Sequence, residues 1–528
     1  MARTTILQRP LSSRCGANLF TRSTSASSRT FSVVSRPQDE PKKERVVILG
    51  SGWAGYGVAR TLDPKKYERI VVSPRSYFVF TPLLASTAVG TLEFRAVLEP
   101  IRRLGVKFHQ GWADDIDFTN KTIRVEANAS DEMSDRPVTP PPVLGIKGSS
   151  LAEPSLQLPS RRREKGEMFE VGYDKLVVAV GAYSQTFGIE GVRKHAHFLR
   201  DIGDARRIRL RVLSLFEQCS YPDSETGLSE KDKSDLLHFA IVGGGPTGIE
   251  FAAELHDLIH EDLKKMYPDL VKYVSITVYD VAKKILPMFD QALARYAMDT
   301  FARQGIKVET EKHLDRIRED ESGNGTLRIK VRELGDEEKG AGLVVWSTGL
   351  MQNPMVEKLK GKRFKIPGGP AGTGRGPLVR LLGESRTGGI VTDGNMRAKA
   401  YNGGSEKGDS SMVLPDVFVV GDCATVEDQK GLPNTAQVAS QQANYLAQGL
   451  NKGALLGKPF KFRNLGTLTY VGGWKAIHQG EGNDLRGWAA WVVWRTAYLT
   501  KSMSVRNKLM VPVHWLVTWL FGRDISRF

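Results

Sequence analysis

The chain has 528 residues and a mass of 58.4 kDa, too long for one small module at roughly 100–200 residues per domain. Its 41% hydrophobic, 25% charged and 8% aromatic residues are those of a globular protein, and a mean hydropathy of -0.29 excludes a polytopic membrane protein. The 75 Lys and Arg against 59 Asp and Glu leave +16, and the place of that excess decides between nucleic acid, membrane surface and targeting peptide.

Residues 1–36 carry Arg3, Arg9, Arg14, Arg22, Arg29 and Arg36, no acid before Asp39, and many Ser and Thr. That is the make-up of a mitochondrial targeting peptide. A second excess lies at the far end, where Lys461 to Phe528 holds ten basic and three acidic residues. The middle is nearly balanced, so no basic stripe marks a nucleic-acid groove and no nucleic acid is expected as partner. Cys15, Cys219 and Cys423 form no CxxC or other metal spacing; the last two read as unpaired thiols, and no metal site is expected.

After the presequence, Arg45–Leu49 (RVVIL) reads as a short buried strand that runs into Gly50-Ser51-Gly52-Trp53-Ala54-Gly55. Glycines at this spacing serve a tight turn, close approach of backbone to a pyrophosphate, and helix packing, while the helix N-terminus receives negative charge. At the end of the next strand, Arg69–Val72, a ribose-binding carboxylate is the rule; Ser73 stands there instead. Residues 128–166 are rich in Pro, Ser and charge and read as a surface insertion.

The same opening recurs at Phe239–Val242 (FAIV), followed by Gly243-Gly244-Gly245-Pro246-Thr247-Gly248 and an apolar helix beginning at Ile249. The strand Val274–Tyr279 then ends at Asp280, placed to accept from both ribose hydroxyls and to repel a 2′-phosphate, with a simple turn residue as the alternative. NADH is therefore preferred over NADPH. No EF-hand pattern interrupts this unit. Two dinucleotide sites in one chain suggest one bound flavin and one nicotinamide. Val177–Gly181 and Val344–Gly349 (VVWSTG, with Thr348) read as crossings past the two nucleotides, and Val417–Ala424 as a strand ending in Gly421-Asp422. Residues 358–389 read as another loop insertion.

Six of the nine tryptophans lie after residue 470, among Arg486, Arg495, Lys501, Arg506, Lys508 and Arg523. Trp488, Trp491, Val492, Tyr498 and Leu499 recur at helical spacing, as do Leu509, Val513, Leu516 and Leu520, with Pro512 as an expected kink or break. No apolar run reaches the roughly 18 residues of a spanning helix. This region is expected to be an amphipathic helical membrane anchor on anionic lipid, with a Trp-rich core or a homodimer face as the alternative.

These motifs, with Phe80-Thr81-Pro82-Leu83-Leu84, Thr186–Ile189, Gly191-Val192, His197–Leu199 and Thr435–Gln442 (TAQVASQQ), give the chain a close resemblance to the type II, or alternative, mitochondrial NADH:ubiquinone oxidoreductases. The resemblance runs from about Arg45 to the C-terminus outside the two insertions. It implies an α/β fold of two Rossmann-like domains, as in glutathione-reductase-like flavoproteins, with a C-terminal membrane anchor. The expected divisions are 1–36 targeting peptide, 44–235 FAD domain, 236–370 NADH domain, 371–455 return to the FAD domain, and 456–528 anchor.

The resemblance also implies roles. Thr81 and Pro82 would lie against the isoalloxazine, with Gly181, Asp422 and Ala436 completing a non-covalent FAD site. Gln437 and Gln441 would flank the flavin and quinone pocket, and Glu250 would handle protons, with capping or an ion pair as its alternative. The implied reaction is transfer of two electrons from NADH through FAD to ubiquinone at the inner membrane; without a spanning path no proton pumping is expected, and without a stop-transfer helix the matrix side is expected. Residues 30–60 hold no stop-transfer helix, and deleting 485–528 is expected to leave soluble NADH oxidation. A cysteine pair, needed by a disulfide reductase, does not follow Gly55. The alternative of another class is an NADH-sensing flavoprotein that signals to a partner, like apoptosis-inducing flavoproteins.

Overall fold

The computed structural model describes residues 43–128, 166–222, 227–366, 376–402, 411–453, 457–480, 482, 484–501 and 504–527. The expected targeting peptide and nearly all of the expected 128–166 insertion lie outside these residues.

Two sheets carry the molecule. The first has 12 strands. At its centre β1 (Glu44–Leu49) feeds α1 (Trp53–Thr61) and pairs in parallel with β2 (Tyr67–Ser73), which pairs with the start of β3 (Lys107–Asp117). On the other side β4 (Lys175–Val178) and the strand Ser411–Val419 continue the parallel order. Val46 to Leu49 are at most 1% exposed; a run apolar on both faces suits a parallel strand covered from both sides.

The second sheet has five parallel strands, in the order His197–Phe198, β7 (Leu343–Trp346), β5 (His238–Val242), β6 (Ser275–Tyr279) and Lys307–Glu309. Its order reverses beside β5, the switch point where doubly wound sheets open a crevice at the strand ends. Helix α2 (Pro246–Asp257) follows β5. The two segments that carry the chain between the sheets, Ala182–Ser184 and Leu350–Gln352, pair with each other antiparallel.

The passage between sheets falls earlier than the divisions at 235 and 370. His197–Phe198 already belongs to the second sheet, and Arg363–Lys365 and Leu378–Leu381 pair within the first. The described parts of the 358–389 stretch, residues 358–366 and 376–389, are therefore not loop alone. They hold two short strands, Arg363–Lys365 at the sheet edge and Leu378–Leu381 paired on both sides, whose anchors are the buried Phe364, Val379 and Leu381.

Helix α3 (Ala436–Asn451) returns along α1; a Cβ on Gly57 would lie 2.9 Å from that of Ala443. Beyond it β8 (Thr467–Gly472) opens a three-stranded sheet, and α4 (Trp488–Lys501) and α5 (Val505–Phe521) end the chain. Among the described residues no helix is long and apolar enough to cross a membrane.

One face of α5 is docked. Val511 and Trp515 are buried, Asn507 Nδ2 donates to the Leu98 carbonyl (3.2 Å), and Thr518 Oγ1 donates to the Thr91 carbonyl (3.1 Å). The other face is the sequence-predicted stripe of Leu509, Val513, Leu516 and Leu520, each 52–66% exposed. Pro512 does not break the helix, because Val511 and Trp515 hold the turns on both sides of it. Trp494 and Trp515 join the main core while Trp488 and Trp519 stay outside. The region is thus core and surface at once.

Candidate active site

Both glycine loops close alike. The Gly50 N–H donates to the Val72 carbonyl at the end of β2 (2.9 Å), and the Gly243 N–H donates to the Tyr279 carbonyl at the end of β6 (2.8 Å). Their φ angles, +107° and +118°, demand glycine. A Cβ on Gly55 would stand 2.1 Å from the Gly50 oxygen, and one on Gly248 2.0 Å from the Gly243 oxygen, so only glycine lets each helix seat on its turn. At the middle glycines, Gly52 and Gly245, a Cβ would meet nothing within 4 Å. That open space lies at the N-termini of α1 and α2, where a pyrophosphate finds free N–H groups and a favourable dipole.

The residues after β2 and β6 differ in chemistry. Asp280 accepts from the Gly244 N–H with Oδ2 and from the Ala282 N–H with Oδ1 (2.7 Å), which fixes the carboxylate at the lip of the second loop. Ser73 instead donates to Ser51 Oγ (2.9 Å), which donates to the Tyr77 carbonyl (3.1 Å).

A cavity of about 640 Å³ lies between the sheets. The first loop lines it with Gly50, Ser51, Gly52, Trp53 and Ala54, joined by Ser73, Thr81, Pro82 and Gly181. Helix α2 brings Pro246, Thr247 and Glu250, the turn after β7 brings Thr348 and Gly349, and Gly421, Asp422 and Ala436 close it. Gly55, Gly243, Gly244, Gly245, Gly248 and Asp280 shape their loops without lining it. Trp53 Nε1 donates to Thr81 Oγ1 (2.9 Å), which ties the first helix to the FTPLL segment. Gly181 has φ +66° and open space where its side chain would be.

Three lining or supporting residues escaped the sequence reading. Arg200 faces the cavity with a buried Nη1 that has no hydrogen-bond partner among the described residues, and its charge opposes the burial that raises the Asp422 carboxyl. Gln442, only 2% exposed, accepts from the Gly421 N–H (2.7 Å) and holds that turn at φ +79°. Tyr498 of α4 brings the C-terminal region to the cavity; its position one turn from Trp494, with ring centroids 5.0 Å apart, was the available signal.

Glu250 is 7% exposed and neither caps a helix nor pairs with a cation among the described residues. Its carboxylate accepts from the Tyr470 N–H (3.2 Å) and from Trp494 Nε1 (3.3 Å). Burial, aided by the charge of Glu254, pushes its carboxyl up to about 8.

Gln437 and Gln441 do not reach the cavity. Gln437 Nε2 donates to the Gly466 carbonyl (3.3 Å) and its Oε1 accepts from the Leu465 N–H (3.1 Å). Gln441 does the same with the Arg463 carbonyl (2.8 Å) and N–H (3.0 Å). An amide reproduces a peptide group's donor and acceptor, so the pair clamps the linker that leads to β8. Cys219 and Cys423 are buried and unpaired, and burial pushes their thiols up to about 11 and about 12.

Residues 44–443 match the family described as Pyridine nucleotide-disulphide oxidoreductase, which gives the class of the chain. Residues 464–524 match the NDH2 C-terminal domain. A "Probable NADH dehydrogenase" of Dictyostelium discoideum is 36% identical, covering 92% of this chain and 92% of that protein. An "Internal alternative NAD(P)H-ubiquinone oxidoreductase A1, mitochondrial" of Solanum tuberosum is 34% identical over 96% of this chain and 92% of its own length. The solved structure of NDH2 from Plasmodium falciparum in complex with NADH has the same fold, with a TM-score of 0.73 at 23% identity, covering 92% of this chain and 100% of that one. The chain belongs to the alternative, type II NAD(P)H-ubiquinone oxidoreductase family. The partner-signalling alternative finds no support in these relatives.

Proposed function

We infer that the chain oxidises NADH and passes two electrons through FAD to ubiquinone without pumping protons. The observation that carries this reading is the single cavity lined jointly by the first glycine loop, by α2 of the second unit and by Tyr498 of the C-terminal region. The residues fit a dinucleotide flavin: open space at Gly52 and Gly181, the N-termini of α1 and α3, and the orphaned Arg200 Nη1. When bound, FAD supplies the chemistry, taking hydride from NADH and giving electrons to the quinone.

The chain's residues hold and orient the reactants. Thr81, Pro82, Gly181, Asp422 and Ala436 are assigned to FAD, with Ser73 and Ser51 beside its ribose in place of a carboxylate. Gly243, Gly245 and Gly248 with Asp280 are assigned to NADH, and Thr348 and Gly349 to the approach between the two. Glu250 carries a proton at neutral pH and is the donor at the quinone oxygen.

The outward stripe of α5, with Trp488, Trp519 and the exposed Lys501, Arg506 and Lys508, suits a monotopic seat on anionic lipid. Relatives named mitochondrial support a mitochondrial location. The internal-type relatives match at 34–35% identity and the external-type at 30–31%, which supports the matrix face of the inner membrane.

The test is purification in detergent. The expected result is a yellow protein that releases FAD on denaturation, is bleached by NADH and recovers its colour with a short-chain ubiquinone. A colourless chain that FAD does not reconstitute, or one that quinone leaves bleached, overturns the reading. Flotation with anionic vesicles tests the lipid seat; a dimer in detergent that does not float assigns the same face to a second copy.

A further inference from the structure

A second cavity, of about 780 Å³, lies behind a thin wall. The wall is Tyr470 and Trp494, with ring centroids 5.4 Å apart. Both line the second cavity, and both give an N–H to Glu250, which lines the first. One helical turn beyond Glu250 stands Glu254, on the lining of the second cavity. Helix α2 thus presents a carboxyl to each cavity, with side chains about 6 Å apart at Cβ.

Glu254 feels the charges of Arg523 and Arg495 but makes no direct ion pair with either among the described residues. It is 4% exposed and accepts from Ser86 Oγ with one oxygen (2.5 Å) and from Thr91 Oγ1 with the other (2.8 Å); an amide keeps one of these bonds and must reverse the other. The charged and titratable groups around it are on all sides. Arg523 spends its ion pairs on Glu261 and Asp262 (2.7 Å each), and Arg495 lies between the rings of Trp491 (4.5 Å) and Trp515 (4.2 Å). Asp257 holds the Tyr470 hydroxyl (2.5 Å), and Glu250 completes the set.

Making quinol from NADH and quinone consumes one proton from the medium, because NADH brings one hydride and quinol carries two new hydrogens. Glu250 is buried, so a proton from the medium must reach it through the protein. We propose that Glu254 is the relay that takes this proton from water in the second cavity and passes it along one helical turn to Glu250. This rests on the NADH:ubiquinone reading and adds the proton's route to it.

The transfers balance. Glu250 gives its proton to the reduced quinone oxygen and becomes a carboxylate; the O–H of Glu254 then breaks as that of Glu250 re-forms, and water re-protonates Glu254. No electrons move along this route. Burial favours the neutral form of both carboxyls, while the charge of Arg523 opposes it at Glu254 and eases proton release there.

The experiment uses the full-length, FAD-loaded enzyme with Glu254→Gln. Each variant's rate with a short-chain ubiquinone is divided by its rate with ferricyanide, which takes electrons and no proton. The expected ratio falls about tenfold or more, the size of a lost acid–base step. The solvent deuterium isotope effect on quinone reduction rises, the pH profile shifts, and Glu254→Asp restores part of the ratio. A ratio and isotope effect within about twofold of the parent overturn the relay. If Glu254→Gln does not fold, Ser86→Ala, which loosens the same carboxyl, is read in its place: a lower ratio supports the relay and an unchanged one sinks it. A parent enzyme active with ferricyanide but silent with quinone counts against the functional reading instead.

Discussion

A single methyl group separates two kinds of glycine in the first loop. Gly52 has φ -75° and ψ -168°, which alanine adopts freely, and its Cβ would point into open space. Gly52→Ala is therefore expected to keep its thermal stability but to lose most of its flavin, measured as absorbance per mole of purified protein. Gly55→Ala, with a Cβ 2.1 Å from the Gly50 oxygen, is expected to lose ~2 kcal/mol or more in denaturant unfolding. Glu250 makes a pH prediction. Its carboxyl, normally near 4.5, is pushed up to about 8, so the folded chain binds a proton that the unfolded chain has released. That contribution is complete below 4.5 and is lost as pH rises through 8. The parent's unfolding temperature at a fixed scan rate should fall more steeply across this window than that of Glu250→Gln.

At this scale spacing alone predicted the tight backbone geometry of both glycine loops, which the φ angles of Gly50 and Gly243 show. Gln437 and Gln441 lie on the helix that lines the cavity through Ala436 and Ala439, but their amides bond elsewhere. Helical spacing correctly put them on one face, but it cannot say what lies opposite, and linker backbone lies there. Their neighbour Gln442, aligned with the buried Val438 and Leu446, is the amide that supports the cavity.

At the scale of elements, α5 separates two sets of apolar residues that sequence periodicity cannot rank. Leu509, Val513, Leu516 and Leu520 form a regular stripe and are exposed; Val511 and Trp515, between them, are docked. Leu516→Glu with Leu520→Glu should change unfolding free energy by no more than about 0.5 kcal/mol while abolishing vesicle flotation. Trp515→Ala should cost about 3–5 kcal/mol, measured by denaturant titration. Equal effects of the two on stability would refute this division. The helix itself was legible because 3.6-residue periodicity survives a proline whose flanking turns are pinned by packing.

For the whole molecule, the two-sheet plan was legible because each β-glycine-helix opening announces a unit. The boundaries were not, because edge strands such as Arg363–Lys365 are three residues long and carry one buried side chain each. The C-terminal region packs into the rest of the molecule more closely than its amphipathic pattern announced. Trp494 binds Glu250, Tyr498 lines the cavity, and Arg209 pairs with Asp524 (3.2 Å). Ending the chain at residue 484 is expected to yield insoluble protein, or protein without NADH oxidation, in a soluble-fraction assay. A soluble, active truncation would show that these contacts are dispensable.

The antiparallel pairing of Ala182–Ser184 with Leu350–Gln352 bears on motion. A two-ply strap resists the swing that a lone connector permits, since bending one ply shears the hydrogen bonds to the other. Turnover in this enzyme should then proceed with the halves fixed, reactants entering and leaving a standing gap. X-ray scattering profiles with and without NADH should accordingly superimpose.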